Sequence, residues 1–252
     1  DPGAARALMS TARALLLAVL VFLATLLARL PARVLLPLLP AGISCEAPSG
    51  TVWRGACGEL RVPKLSLMAI SWVVHPAALL RLQLSANVAS DDPRAVARAA
   101  VVLSQGERMQ LRDVNAQLPL QNGLPGVFPS GLSGQLQVAI DAATFARGQL
   151  LALQGAVRVL QLRSESQAAD LGSFELLFPA APAGTPIDGQ LRDLGGPLAV
   201  SGELRLMRAG GYDLSGYVAA RPQASADVVQ ALQLLGPPDA QGRRMFSLAG
   251  SL

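Results

Sequence analysis

From Gly50 onwards, apolar and polar residues alternate with a period of two, as in Leu80, Leu82, Leu84 and in Leu132, Leu136, Val138, Ile140, and the helical period is scarce. Successive strand side chains point to opposite faces, so the pattern predicts strand after strand with one face buried and one wet. A local unit recurs: Gly58-Glu-Leu-Arg-Val, Gly134-Gln-Leu-Gln-Val, Gly155-Ala-Val-Arg-Val, Gly189-Gln-Leu-Arg, Gly202-Glu-Leu-Arg-Leu and Gly216-Tyr-Val-Ala. In most of these a glycine opens the alternating run. Their uneven spacing argues against a fixed-period solenoid and predicts a meander of antiparallel strands of unequal length.

The breaks between runs agree with this. Ser104-Gln-Gly-Glu107, Met207-Arg-Ala-Gly-Gly211 and Gly195-Gly-Pro197 are places where the chain can reverse, so hairpins are the expected connections. Two interruptions read as helix, Pro76 to Leu80 and Ser225 to Leu235. In the second, Ser225 supplies an N-cap, Val228, Val229, Leu232 and Leu235 share a face, and Gly236-Pro237-Pro238 stops the run. A last strand, Met245 to Leu252, is expected to return to the sheet.

Ahead of Gly50 the pattern is different. Ala14 to Ala28, ALLLAVLVFLATLLA, is an apolar run relieved only by Thr25 and bounded by Arg13 and Arg29. At roughly 1.5 Å per residue it falls short of a ~30 Å hydrocarbon core, so a spanning helix needs Arg13 and Arg29 to snorkel, with Leu8, Met9 and Leu30 extending the apolar surface. A cleaved signal peptide is the rival reading. The exit sequence Arg29-Leu-Pro-Ala-Arg33 offers no clean small-x-small cleavage site and is basic where such a peptide turns small and polar, which favours an uncleaved anchor. A lipoprotein is disfavoured, because Cys45 follows Gly42, Ile43 and Ser44 without the leucine of a lipobox. Met9 reads as a natural start. Leu35 to Leu39, broken by Pro37 and closed by Pro40, reads as a stiff exit linker.

The expected organisation is therefore residues 1–40 as tail, single transmembrane helix and linker, and residues 41–252 as a mainly β domain with one or two short helices. With 252 residues and 51% hydrophobic content, there is room for one anchor and one domain of about two hundred residues. The formal charge of +4 first points to nucleic acid. Its location removes that idea: Arg6, Arg13, Arg29 and Arg33 against Asp1 leave only one net positive charge for the rest of the chain. Lys64 is the only lysine, and the arginines are scattered, so no nucleic-acid partner is expected.

The two cysteines, Cys45 and Cys57, close a small loop over Gly50 and Gly55. Their spacing suits a disulfide, or two buried free thiols, and no further Cys or His lies nearby to complete a zinc site. If they pair, the domain lies in an oxidising compartment, which in a bacterium is the periplasm. A tail of a dozen residues cannot be the working part, so the β domain is.

Convergent catalytic groups are missing. The single histidine, His75, stands before Pro76 in an extended context and reads as structural. There is no G-x-S-x-G, Walker loop, C-x-x-C or H-E-x-x-H, so no catalytic residue, cofactor or metal is expected. Asp91-Asp92 before Pro93 reads as a turn. Trp53 and Trp72, the two tryptophans, mark either a binding surface or, more simply, packing of the first strands.

Several segments together resemble a known family. Arg29-Leu-Pro-Ala-Arg33 after a lone anchor, Ser49-Gly-Thr-Val-Trp-Arg-Gly55, Ile70-Ser-Trp72 with Pro76-Ala-Ala-Leu-Leu80, and Leu232-Gln-Leu-Leu-Gly-Pro-Pro-Asp-Ala-Gln-Gly242 are similar, in the same order, to the type II secretion system protein N family. The resemblance covers nearly the whole chain from Met9. It implies a single-pass inner-membrane protein, cytoplasmic at its N-terminus. Its periplasmic domain would be an accessory part of the machine that exports folded proteins across the outer membrane. It further implies a distant likeness to AsmA-like β-rich domains with a curved sheet. No catalytic motif comes with it. The reading is a non-enzymatic scaffold whose partners are other inner- or outer-membrane secretion components and membrane lipid; the alternative is a lipid-handling protein with an apolar groove.

Overall fold

The computed structural model describes residues 2–38, 44–62, 65–92, 95–120, 131–166, 168–182, 185–207 and 210–251. Helix α1 (Pro2–Ala28) is followed by a 3-10 turn at Ala32–Leu38 and then by strands in unbroken succession. These are β1 (Ser44–Glu46), β2 (Ser49–Gly50), β3 (Arg54–Val62), β4 (Leu65–His75), β5 (Leu84–Asp92), β6 (Ala95–Ser104), β7 (Arg108–Pro119), β8 (Leu132–Ala146) and β9 (Gln149–Ser164). After them come β10 (Ala169–Phe178), β11 (Ile187–Asp193), β12 (Leu198–Leu206), β13 (Gly211–Ala220), helix α2 (Ala226–Gln233) and β14 (Arg244–Ser251). All belong to one 14-stranded antiparallel sheet, in which each strand from β3 to β14 pairs with the next in sequence and β1 and β2 both pair with β3. The meander expected from the alternating pattern is the fold.

One register line crosses the sheet from end to end: Cys57, Ile70, Ser90, Ala97, Ala116, Val138, Val157, Leu176, Leu191, Gly202, Gly216 and Phe246 stand opposite one another in turn. A neighbouring line carries polar groups to the other face, through Gln117, Gln137, Arg158, Glu175, Arg192, Ser201 and Tyr217. The sheet is thus two-sided, one face apolar and one wet. The centre of the apolar face is Leu120, Leu136 and Val159, packed by Leu118, Val138, Val157 and Leu162. At the far end α2 approaches β10 and β13, and its Val228 is buried. Ser225 caps this helix, its hydroxyl accepting from the Val228 amide at 3.4 Å.

Keeping one face apolar requires phase changes that strict alternation does not predict. In β7 the apolar side chains are Met109 and Leu111, then Val114, Ala116 and Leu118, a shift from odd to even positions. Asp113, at a φ of 51°, is where the phase changes, and the β6–β7 register shifts opposite it, between Arg98 and Ala100. In β8 the shift falls between Ile140 and Ala142, across from Gly155. A one-residue slip turns every later side chain to the opposite face, so each bulge restores the apolar set to its side and bends the strand.

Several sequence expectations need correction. The recurring glycines do not open their strands but lie inside them, and at Gly134, Gly155, Gly202 and Gly216 the facing backbone comes too close for a Cβ. At Gly155 (φ 142°) a Cβ would collide with the backbone of Ala139 and Ile140, and at Gly202 and Gly216, which pair, it would meet the facing strand. Leu80 and Leu82 are not in a strand: Pro76–Arg81 forms a 3-10 turn ended by Leu82 at φ 54°, and both leucines are exposed. The proline that favours an extended His75 also starts this turn. In α2 only Val228 is buried, with Val229 and Leu235 exposed, because a single layer of sheet covers just one edge of so short a helix. The expected single transmembrane helix is not met as a span: among the described residues no helix is long and apolar enough to cross a membrane. The run from Leu15 to Ala28 rises about 21 Å, short of a ~30 Å hydrocarbon core. Much of the expected exit linker is the 3-10 turn at Ala32–Leu38, and the rest lies outside the described residues.

Gly155 gives a direct test of this backbone constraint. Replacing it with alanine should destabilise the domain by about 1 to 3 kcal/mol, through both the positive φ and the collision with β8. Urea unfolding should show a lower midpoint with an unchanged slope.

Candidate functional site

No cluster of chemical groups stands out, so the candidate site is a surface: the apolar face, its edges and the joint to α1. The joint is built from backbone and indole groups. The last carbonyls of a helix lack intrahelical donors. Here the Trp53 indole Nε1 donates to the Leu27 carbonyl at 2.8 Å, and the Val52 amide donates to the Leu30 carbonyl at 2.9 Å. Pro31 bridges to Thr51, and Ala32, which begins the 3-10 turn, is buried. Trp72 completes the joint, donating from Nε1 to the Val52 carbonyl at 3.1 Å, while its ring fills the space over Gly55. The two tryptophans therefore serve neither as a free binding surface nor only as strand packing. They tie the helix end to the first strands, a role that spacing along the sequence could not reveal for groups 26 residues apart.

Cys45 on β1 and Cys57 on β3 are joined, with their Cα atoms 5.8 Å apart, across the sheet edge opposite β14. On the same edge Arg61 pairs with both Glu46 and Glu59 at 2.9 Å. His75 ends β4 with its Nε2 3.1 Å from the Asn87 amide. Asp91 and Asp92 end β5. Among the described residues no three His, Cys, Asp or Glu side chains gather where they could hold a metal ion.

The polar face holds a buried carboxylate that no local sequence signal marks. Glu175 in β10 is 2% exposed and lies between two arginines on the flanking strands. Arg158 Nε donates to its Oε1 at 2.7 Å and Arg192 Nε to its Oε2 at 2.6 Å. Both partners are its direct cross-strand neighbours. Burial, the largest single influence, pushes the carboxyl pKa up, but the two arginine hydrogen bonds and charges together outweigh it and hold the group below the usual range. Asp193 behaves alike at the end of β11. Burial raises it, but Arg221 at 2.7 Å and the amides of Val200 and Gly195 bring it down. Arg221 also donates to the carbonyls of Gly196 and Leu198, fastening the β11–β12 turn to the end of β13. These groups lock strands together and are fully engaged in doing so.

Comparison with known proteins identifies the family. A profile described as "Type II secretion system (T2SS), protein N" matches residues 41–247, which is most of the chain and includes the sheet from β1 into β14.

The chain belongs to the type II secretion system protein N family.

Relatives named type II secretion system protein N agree over almost their full length. That of Aeromonas hydrophila is 27% identical over 232 residues, covering 88% of this chain and 91% of its own. That of Vibrio cholerae is 28% identical over 246 residues, covering 92% and 95%. That of Pectobacterium carotovorum is 24% identical over 249 residues, covering 96% of both chains. No solved structure matches the chain. The matched residues of this protein N family member run from before β1 into β14 and include the Glu175 network on β9 to β11.

That network predicts a pH signature. A carboxyl held below its ordinary range adds stability that is present above its unfolded pKa of about 4.3 and is lost as pH falls through the lower folded value. Glu175→Gln should cost about 1 to 2 kcal/mol at pH 7 by removing two charge-assisted hydrogen bonds. The gap between variant and parent should close as pH drops below about 4, because a protonated Glu175 is as neutral as glutamine. Denaturant titrations of the two proteins from pH 7 to pH 3 would measure it.

Proposed function

We propose that this chain is a non-enzymatic accessory component of the type II secretion system, acting in export of folded proteins across the outer membrane. The observation that carries the reading is the family match over residues 41–247, with relatives of the same name aligned end to end. In this reading the protein sits at the inner membrane, N-terminus cytoplasmic and sheet domain periplasmic. Support comes from α1, whose large apolar side chains from Leu15 to Leu27 are each 50% to 68% exposed. Exposing that much contiguous apolar surface to water is unfavourable, and lipid is the environment that relieves it. Arg29, exposed just past the run, would snorkel to one interface.

As a scaffold, the domain offers other secretion components a broad sheet with open edges. A partner strand can add to such an edge by backbone pairing. The Cys45–Cys57 bond suits the oxidising periplasm and ties the short β1 to β3. The lack of a recognisable catalytic motif in the sequence favours a structural role over chemistry.

A second reading is favoured by one observation, the apolar register line that crosses the sheet on a single face. A curved AsmA-like sheet of this kind would shield acyl chains, and lipid would then be cargo as well as anchor. Mass spectrometry of the protein purified from membranes separates the two, since co-purified lipid beyond the annular amount is expected only for the second.

Deleting the gene in its host and assaying a type II exported hydrolase tests the first reading. Export should fall, with the enzyme held in the periplasm, and return with the full chain. Unchanged export across several substrates would overturn the assignment. The same strain tests the remaining parts. The protein should resist carbonate extraction, a reporter after Leu252 should be periplasmic, and denaturing alkylation without reductant should leave both cysteines unlabelled. Closing so small a loop should contribute roughly 2 to 3 kcal/mol.

A further inference from the structure

The two edges of the sheet are not equivalent. The β3 edge is covered by the short β1 and β2, cross-linked through Cys45 and Cys57 and lined with the Arg61, Glu46 and Glu59 charges. The β14 edge carries none of these protections. All eight residues of β14 pair with β13, from Gly211–Ser251 to Val218–Arg244, without a bulge, and among the described residues no strand lies on its outer side. It holds no proline and a single charge, Arg244, whose guanidinium is turned back to the Gly236 carbonyl. Met245 and Leu248 are 61% and 56% exposed. Natural edges that stay single are short, charged, bulged or covered, because a long, flat, apolar edge pairs with whatever strand it meets.

The pattern of β14 fits a second copy of itself. Pairing preserves the two faces only if residues of the same parity oppose one another. An antiparallel register with Ser247 on a two-fold axis does so, setting Phe246 against Leu248, Met245 against Ala249 and Arg244 against Gly250. Apolar side chains meet apolar side chains on the face that carries the register line. The lone arginine of each strand faces a glycine, and the two arginines stand about 20 Å apart, so no like charges are opposed. A parallel pairing would bring them together.

We infer that two copies of this chain associate through antiparallel pairing of their β14 strands about Ser247, joining two sheets into one continuous sheet with a common apolar face. The contact is isologous, so it closes at two copies. It uses only the β14 edge and leaves the apolar face, continuous across the pair, for other components.

The Cys45–Cys57 bond leaves no free cysteine, so Ser247→Cys gives a single reactive thiol at an exposed site that tolerates the change. Directly opposed residues of antiparallel strands have Cα atoms about 4.5 to 5.5 Å apart, inside the range that a disulfide spans. Full-length Ser247→Cys in native membranes, treated with a mild oxidant, should run at twice the monomer mass and return to monomer on reduction. Ser215→Cys, which faces the same side but lies on the interior strand β13, should stay monomeric. Adding Leu248→Lys to Ser247→Cys should remove the dimer, because two introduced ammonium groups would sit beside the axis. Failure of Ser247→Cys to cross-link, or cross-linking only to a protein of different mass, would overturn the inference. Neither outcome touches the export assay, so the two proposals fail separately.

Discussion

The structure depends on one constraint, that the apolar side chains of successive antiparallel strands remain on the same face across the whole sheet. With no second layer among the described residues to bury a misplaced leucine, an error of one residue in any strand would turn all its later apolar groups away from that face. The constraint is met by register, and where the sequence drifts out of phase it is met by bulges. Asp113 and the Ile140–Ala142 step in β8 lie close together on adjacent strands, so both phase changes happen at one latitude of the sheet. The glycine that faces the second step, Gly155, lets the strands close where a side chain would hold them apart. Bend and phase correction are thus parts of one local solution.

Polar interactions reinforce that arrangement on the opposite face. Glu175 between Arg158 and Arg192 ties three consecutive strands by their wet side, and Asp193 with Arg221 ties the following turn. The arginines remain partly exposed, so the desolvation cost falls mainly on the acid; it is offset by two charged donors at Glu175 and by one arginine with two backbone amides at Asp193. At the other end the Trp53 indole answers a carbonyl that helix geometry leaves open, and the Trp72 indole holds the Val52 carbonyl beside it. Helix and sheet meet through directional bonds, with little packing between them.

Much of this was legible in the sequence because its signals are local. Period-two alternation, the turns at Ser104–Glu107 and Gly195–Pro197, and the Ser225 cap act over a few residues and appear in the structure where expected. What the sequence hid depends on distant neighbours. Leu80 and Leu82 fit the alternation, yet Pro76 begins a turn that takes them out of it. Gly155, Gly202 and Gly216, which resemble strand openers, prove to be points of close backbone approach, visible only once the facing strand is known. A glutamate in an alternating run looks like a solvated face until two arginines from other strands are set beside it. The family resemblance rested on short segments such as Ser49–Gly55, which is the stretch that builds the joint between helix and sheet, so a geometric reason for its particular residues was present though unreadable.

The sequential order of the strands has a consequence for how the molecule comes into being. Each strand from β3 onward touches mainly its neighbours in sequence, so contacts form between segments that are close along the chain. Sheets are ordinarily slow to assemble because distant segments must find one another first, but here sequence distance and spatial distance grow together. The molecule behaves as a one-dimensional array, and a chain delivered N-terminus first can lay down strand upon strand, each docking on an edge already in place.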